Sequence, residues 1–177
     1  MGDNSRAFAV WITGLPASGK STLARALKVQ LAERGVNAAV LESDALRRVL
    51  SDQPRYDPQE RDAFYRLLAY MGALLTEHGV PVIIDATANR REYRDRARQQ
   101  IPRFLEVYVE CPLEICMARD PKGIYRQARE ATAANVPGLQ AAYEPPEAPD
   151  VVVAGDTESP DTAAARTVAK LAEKGYL

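Results

Sequence analysis

The chain is poor in the residues that build metal centres and disulfide frameworks. Of its 177 residues two are cysteines, Cys111 and Cys116, and one is a histidine, His78. A structural zinc site takes about four Cys or His ligands, so this inventory argues against one. The two thiols read as reduced cysteines, one near a strand end and one in a helix. No apolar stretch approaches the roughly 18 residues needed to cross a bilayer, and no secretory signal is visible, so the expected compartment is the cytoplasm and no membrane partner is expected. Charge of one sign is missing too: 23 Lys and Arg against 24 Asp and Glu leave a net charge of −1, with a pI of about 5.9. That balance argues against nucleic acid as a partner and requires any anionic substrate to be held by local positive charge. Repeats, low-complexity tracts and linkers are also absent. Residues 1–177 are therefore expected to form one domain, with 46% hydrophobic residues to fill its core.

What is present is a phosphate-binding pattern in its proper setting. Residues Gly14-Leu-Pro-Ala17-Ser18-Gly19-Lys20-Ser21-Thr22 fit G-x-x-x-x-G-K-[ST]. A buried-strand pattern, residues 8–12, precedes them, and Leu23, Leu27 and Leu31 follow at helical spacing. In that context the loop N–H groups and the helix start form an electropositive cradle for the phosphates of a nucleoside triphosphate. Lys20 is placed to reach the β- and γ-phosphates, and Ser21 to offer its hydroxyl to Mg²⁺. Strand patterns at 8–13, 37–41, 81–84, 104–109 and 151–153 alternate with helix patterns at 19–34, 44–50, 58–78, 90–100, 113–118 and 162–174. This alternation predicts a three-layer α/β/α P-loop fold around a five-stranded, mainly parallel sheet.

In such a sheet ligands sit beyond the carboxyl ends of the strands. After the second strand, Asp44 and Arg47 share the first turn of a helix. Asp44 suits a base for an attacking hydroxyl, and Arg47 an anchor for an anionic substrate group; helix capping would explain Asp44 alone but not the pair. Asp85 closes the apolar third strand and resembles a Walker-B carboxylate that orients Mg²⁺, with strand-end capping as the alternative. Thr87 and Arg90 lie just beyond it. The rest of 91–98 alternates in charge, and Arg91–Asp95 and Glu92–Arg96 are expected as i,i+4 pairs on a solvated face.

Two further segments stand out. Asp57, Pro58 and Glu60 mark a helix start, followed by an apolar stripe of Phe64, Leu67, Leu68, Met71, Leu74 and Leu75 with Gly79 as its stop. Tyr56 lacks an apolar staple partner, because Arg61 stands four positions into the helix, and so is open either to a ligand or to solvent. Arg119, Lys122, Arg126 and Arg129 concentrate positive charge behind a proline and a glycine, which predicts a mobile basic lid over about 119–142.

With these residues in view the chain resembles the adenylylsulfate (APS) kinase family, P-loop kinases that use MgATP to phosphorylate the 3′-hydroxyl of adenosine 5′-phosphosulfate. The likeness rests on the P-loop, Asp44-x-x-Arg47, the 56–61 segment, the 109–125 string ending Arg119-Asp-Pro-Lys122-Gly-Ile-Tyr125, Tyr143-Glu-x-Pro and the terminal Lys174-Gly-Tyr-Leu177. It implies a homodimer, APS held by Arg47, Arg61 and Lys122, Asp44 at the reacting hydroxyl, and Arg119 on the ATP side. The chain departs from the family at Glu42-Ser43, at Phe64 in place of Asn, at Thr87-Ala88 with Asp85 added, and at Val136-Pro137-Gly138 in place of Phe-Thr-Gly. Tyr56 and Leu139 are the expected substitutes for the lost stacking ring. The string from Ile84 to Arg90 is similar to polynucleotide 5′-kinases and seryl-tRNA kinases. That leaves, as alternatives, a kinase of another nucleotide, a polynucleotide or tRNA kinase, and a regulatory nucleotide-binding module.

Overall fold

The computed structural model describes residues 7–177. Five strands form one sheet: β1 (Ala9–Thr13), β2 (Ala39–Glu42), β3 (Val82–Asp85), β4 (Phe104–Glu110) and β5 (Val151–Ala154). Their order is β2-β3-β1-β4-β5, and every pairing is parallel. The helices are α1 (Lys20–Ala32), α2 (Ser43–Leu50), α3 (Pro58–Glu77), α4 (Arg91–Gln100), α5 (Leu113–Arg119), α6 (Ile124–Arg129) and α7 (Pro160–Glu173).

The period-2 alternation of strand side chains builds the three layers. From β1, Val10 and Ile12 enter a core with Leu23, Leu27 and Leu31 of α1 and Val168 and Leu171 of α7. Ala9 and Trp11 enter the opposite core with Tyr65 and Leu68 of α3 and Tyr93 and Ala97 of α4. Strands buried on both faces need no polar face, and β1 and β3 are accordingly buried along their whole length. Because β1 is central, with β3 on one side and β4 on the other, the loop leaving it opens at the point where the chain switches direction across the sheet.

Helix α3 starts as its sequence dictates: Asp57 Oδ1 accepts the Glu60 N–H at 2.9 Å, with Pro58 in the first turn. The Glu60 carboxylate, however, accepts from the N–H groups of Arg55 and Tyr56 (2.6 and 2.8 Å), bracing the turn before the cap. At the other end the His78 ring donates from Nδ1 to Leu74 O at 2.8 Å, and Gly79 stops the helix at φ 78°. The stripe is rotated from the expected one. The buried residues are Phe64, Tyr65, Leu68, Ala69, Gly72 and Thr76, whereas Leu67 and Leu74 are about two-fifths exposed. Tyr65 and Gly72 set this rotation: Tyr65 stacks on Tyr93 of α4 at 4.6 Å, and a Cβ on Gly72 would sit 3.1 Å from Ile84 of β3.

The charged face of α4 is corrected in the same way. Neither expected i,i+4 pair forms. Arg91 pairs with Glu147, Arg96 with Asp62 of α3 at 3.0 Å, and Arg94 lies buried against Glu106 of β4 at 2.8 Å. Arg94 also donates to the Ala88 and Glu144 carbonyls. An exposed i,i+4 pair contributes only about 0.2–0.5 kcal/mol, which tertiary partners readily exceed. The 143–150 connection is thereby tied to the sheet, and the Tyr143 hydroxyl meets Thr13 Oγ1 at 3.0 Å while Thr13 donates to Thr87 O at 2.6 Å.

Candidate active site

The loop between β1 and α1 is shaped for close approach. A Cβ on Gly14 (φ 152°) would lie 2.5 Å from Val109 O and 2.8 Å from Ser18 Oγ. Ala17 and Gly19 take positive φ angles of 62° and 110°. Helix α1 has no side-chain cap and no acidic residue in its first turn. Its leading N–H groups therefore face the cavity without a protein acceptor from a cap, which is the arrangement that receives phosphate oxygens. Ser18 Oγ is buried without a hydrogen-bond partner among the described residues. Lys20 folds back along the loop, its Nζ donating to Leu15 O at 2.8 Å. Burial lowers its pKa from the usual 10.5, and the charges of Asp85 and Asp44 offset this only in part.

Asp85 ends β3 at 4% exposure, and its charge acts on Lys20 across the loop. A buried carboxylate that lines the same cavity as Lys20 and Ser21 is of the chemistry that could hold Mg²⁺ carried by a nucleotide. On the far side of the cavity α2 rises directly from β2, bringing Asp44 and Arg47 to the same opening. Asp44 Oδ2 accepts from Lys122 Nζ at 2.5 Å. Burial, the largest effect on Lys122, pulls its pKa down, but the hydrogen bond to Asp44 and the charges of Asp44, Glu42 and Asp85 leave it raised. The raised pKa keeps the Lys122 charge of this pair through the neutral range and gives it up as pH climbs through the raised value. Arg61, 7% exposed, donates from Nε to Tyr56 O at 2.9 Å and from Nη2 to Asn135 O, holding Tyr56 in a left-handed turn (φ 57°).

One cavity of about 910 Å³ joins these groups. Of the residues expected from sequence, Ala17, Ser18, Gly19, Lys20, Ser21, Thr22, Asp85, Thr87 and Arg119 line it, and so do Asp44, Arg47, Tyr56, Arg61 and Lys122. Gly14 stands behind the loop and shapes it. Two expectations fail. Arg90 is exposed and paired with Glu92 at 3.2 Å, because it caps α4 from outside the crevice. Leu139 is 42% exposed at the tip of a turn closed by Gly138 N–H to Ala141 O at 2.8 Å, and Pro137 lines the cavity in its stead.

The segment at 119–142 is not a free arm. Tyr125 and Ala128 of α6 pack with Cys111, Cys116 and Val136, and the Tyr125 hydroxyl donates to Pro16 O of the P-loop at 2.9 Å. Of its four cations only Arg119 and Lys122 reach the cavity. Burial pushes the Cys116 thiol up to about 12, keeping it an inert core group.

Sequence reasoning missed the third wall, Gly155, Asp156 and Thr157, although a glycine just past a strand end was the available signal. Arg119 Nη1 donates to Gly155 O at 2.8 Å. A Cβ on Gly155 would collide with Ser18 O and lie 2.8 Å from Val109 Cγ1. Gly155→Ala is therefore expected to shift the P-loop and raise KM for ATP at least roughly tenfold, with a lower Tm, as misplacements of this size do. Initial-rate kinetics and a thermal melt check this.

A strand, glycine loop and helix cradling phosphate, faced by a carboxylate and several cations across one cavity, define a P-loop phosphotransferase. The sequence narrows the class: it matches the adenylylsulphate kinase family over residues 6–154. It is 37% identical over 172 residues to the adenylyl-sulfate kinase of Microcystis aeruginosa, covering 97% of this chain and 95% of that one. The solved Mycobacterium tuberculosis APS kinase in complex with AMPPNP and APS superposes with a TM-score of 0.88 at 33% identity, covering 94% of this chain and 98% of that one. A hexameric APS kinase from Thiobacillus denitrificans matches with a TM-score of 0.71 at 28% identity, over 98% of this chain and 30% of that one. The chain belongs to the adenylylsulphate kinase family.

Proposed function

We propose that this protein transfers the γ-phosphoryl group of ATP to the 3′-hydroxyl of adenosine 5′-phosphosulfate, giving 3′-phosphoadenosine 5′-phosphosulfate (PAPS) and ADP. The observation that carries the reading is that the phosphate cradle and the cluster Asp44, Arg47, Arg61 and Lys122 open into the same cavity. The Microcystis relative is an adenylyl-sulfate kinase, and the Mycobacterium APS kinase was solved in complex with AMPPNP and APS, which supports this reading. ATP lies with its phosphates on residues 14–22 and its base toward Arg119 and Gly155; APS lies with its adenine on Tyr56 and its phosphosulfate against Arg47, Arg61 and Lys122. As the 3′-oxygen attacks, its proton passes to the Asp44 carboxylate, the new P–O bond forms, and the bond from the γ-phosphorus to the β,γ-bridging oxygen breaks to release ADP. Lys20 follows the charge that moves onto the phosphoryl oxygens. Ser21 and Asp85 would hold Mg²⁺, which would supply neutralising charge for the phosphoryl oxygens.

The Lys122–Asp44 pair gives this scheme an ordered start. The phosphosulfate of APS competes for Lys122, and the Asp44 carboxylate is released to the hydroxyl only when the anion has arrived. The testing experiment is a coupled assay of ADP release. ATP turnover that requires APS supports the reading, and turnover indifferent to APS contradicts it.

Self-association through the α2–α3 face belongs to the same proposal. Val49, Leu50, Leu67, Tyr70 and Leu74 are 39–83% exposed, and Leu67, Tyr70 and Leu74 share one face of α3. A second copy of the chain is the occupant that an apolar helix stripe and an oligomeric relative favour. Tyr70→Glu is expected to convert a dimer to a monomer in analytical ultracentrifugation; an unchanged sedimentation coefficient refutes this interface.

A further inference from the structure

The chain carries Phe64 where its family resemblance led us to expect asparagine, and the geometry gives that ring a task. Arg47 is 5% exposed, yet its Nη1 has no hydrogen-bond partner among the described residues. Its ion-pair partner Glu60 Oε1 stands 3.5 Å from Nη1, beyond a well-formed hydrogen bond. What surrounds the group instead is aromatic. Its Cζ sits 3.8 Å from the Phe64 ring centroid, 4.9 Å from that of Tyr56 and 5.6 Å from that of Tyr65.

We infer that Phe64 is a positioning residue for the acceptor: its ring face fixes the Arg47 guanidinium and leaves the N–H donors available to the acceptor's anionic group. The inference rests on the reading of Arg47 as the acceptor's anion anchor. A cation held over a ring is attracted to the π-face, which draws on none of its N–H donors. A hydrogen-bonding partner such as asparagine would fix the same group by occupying one. Phe64 is itself held: it meets Tyr65 edge-on at 5.3 Å, Tyr65 stacks on Tyr93 at 4.6 Å, and the Tyr65 hydroxyl accepts from Ala88 N–H at 2.9 Å. The column Arg47–Phe64–Tyr65–Tyr93 thus runs from the acceptor pocket to α4 and the end of β3, where Asp85 and Thr87 lie. Without the ring, the existing 3.5 Å ion pair of Arg47 with Glu60 would tighten to a hydrogen bond and take a donor from the acceptor's anion.

The test separates this from plain packing. Phe64→Leu keeps an apolar side chain and removes the π-face. It should raise KM for APS about tenfold while leaving kcat and KM for ATP within about twofold, as loss of a desolvated cation–π contact requires. Phe64→Tyr, which keeps the ring, should restore KM for APS to within about twofold. In an Arg47→Lys background the leucine substitution should add no further rise, because the ring would have no planar cation to orient. A KM for APS unchanged by Phe64→Leu, or raised equally in both backgrounds, overturns the inference. So does loss confined to kcat and Tm with no rescue by tyrosine, the signature of a packing defect. Wild-type protein that makes no PAPS would sink the functional reading instead, before any variant is compared.

Discussion

Asp44→Asn is expected to lower kcat by about 10²–10⁴-fold while KM for ATP stays within about twofold. Asparagine has nearly the shape of aspartate and still accepts a hydrogen bond from Lys122, but it cannot take the hydroxyl proton. The substitution should cost little stability. Asp44 and Lys122 are 39% and 51% exposed, and exposed ion pairs contribute about 0–1 kcal/mol. Loss of turnover with intact ATP binding and an unmoved Tm is therefore the expected combination. A regulatory nucleotide-binding module would show little change in any of these quantities. Steady-state kinetics with calorimetric titration of ATP distinguish the two.

Lys20→Met should be as severe by a different route, lowering kcat/KM by roughly 10²–10³-fold through loss of a donor to the transferring phosphoryl group. Methionine has a similar length, so the loop should keep its shape apart from the Nζ to Leu15 O bond. The lowered pKa of Lys20 adds a pH signature. Its folded value lies below the unfolded 10.5, so the unfolded chain binds more protons between the two. In the ligand-free wild type, the Lys20 contribution to stability accordingly rises as pH climbs through the folded value toward 10.5, while ATP affinity falls as the charge is lost. The difference between wild type and Lys20→Met in alkaline melts, set beside ATP binding over the same window, should show these opposite slopes. Parallel slopes would mean that burial does not depress Lys20.

The layer architecture was legible because apolar runs, glycines and caps act locally. The strand, loop and helix from Ala9 to Ala32 follow from hydrophobic period and glycine spacing alone, and the P-loop wall of the site came with them. Asp44, Arg47 and Asp85 were legible by one further rule, that ligands gather at the carboxyl ends of parallel strands, and Arg119 through its basic segment and the family resemblance. The misreadings are all tertiary. Arg90 and Leu139 lie close in sequence to true lining residues, but a helix start and a four-residue turn rotate them outward. The solvated face assigned to α4 hides Arg94, whose partner Glu106 lies on the middle of β4 and gives no local sign. Phe64 was legible only as a member of the apolar stripe and as a departure from the family pattern; the 3.8 Å approach of Arg47 reveals what the ring provides.

The acceptor is the centre of the account, and identifying the product tests it most directly. Protein is incubated with Mg²⁺ and γ-labelled ATP in the presence of APS, of other nucleotides, and of an oligonucleotide with a free 5′-hydroxyl, and the labelled products are separated. The account predicts label on the 3′-oxygen of APS at low micromolar acceptor and none on the oligonucleotide. Label on another nucleotide, with APS untouched, would contradict it and would make Asp85, Phe64 and Pro137 the determinants of a different acceptor.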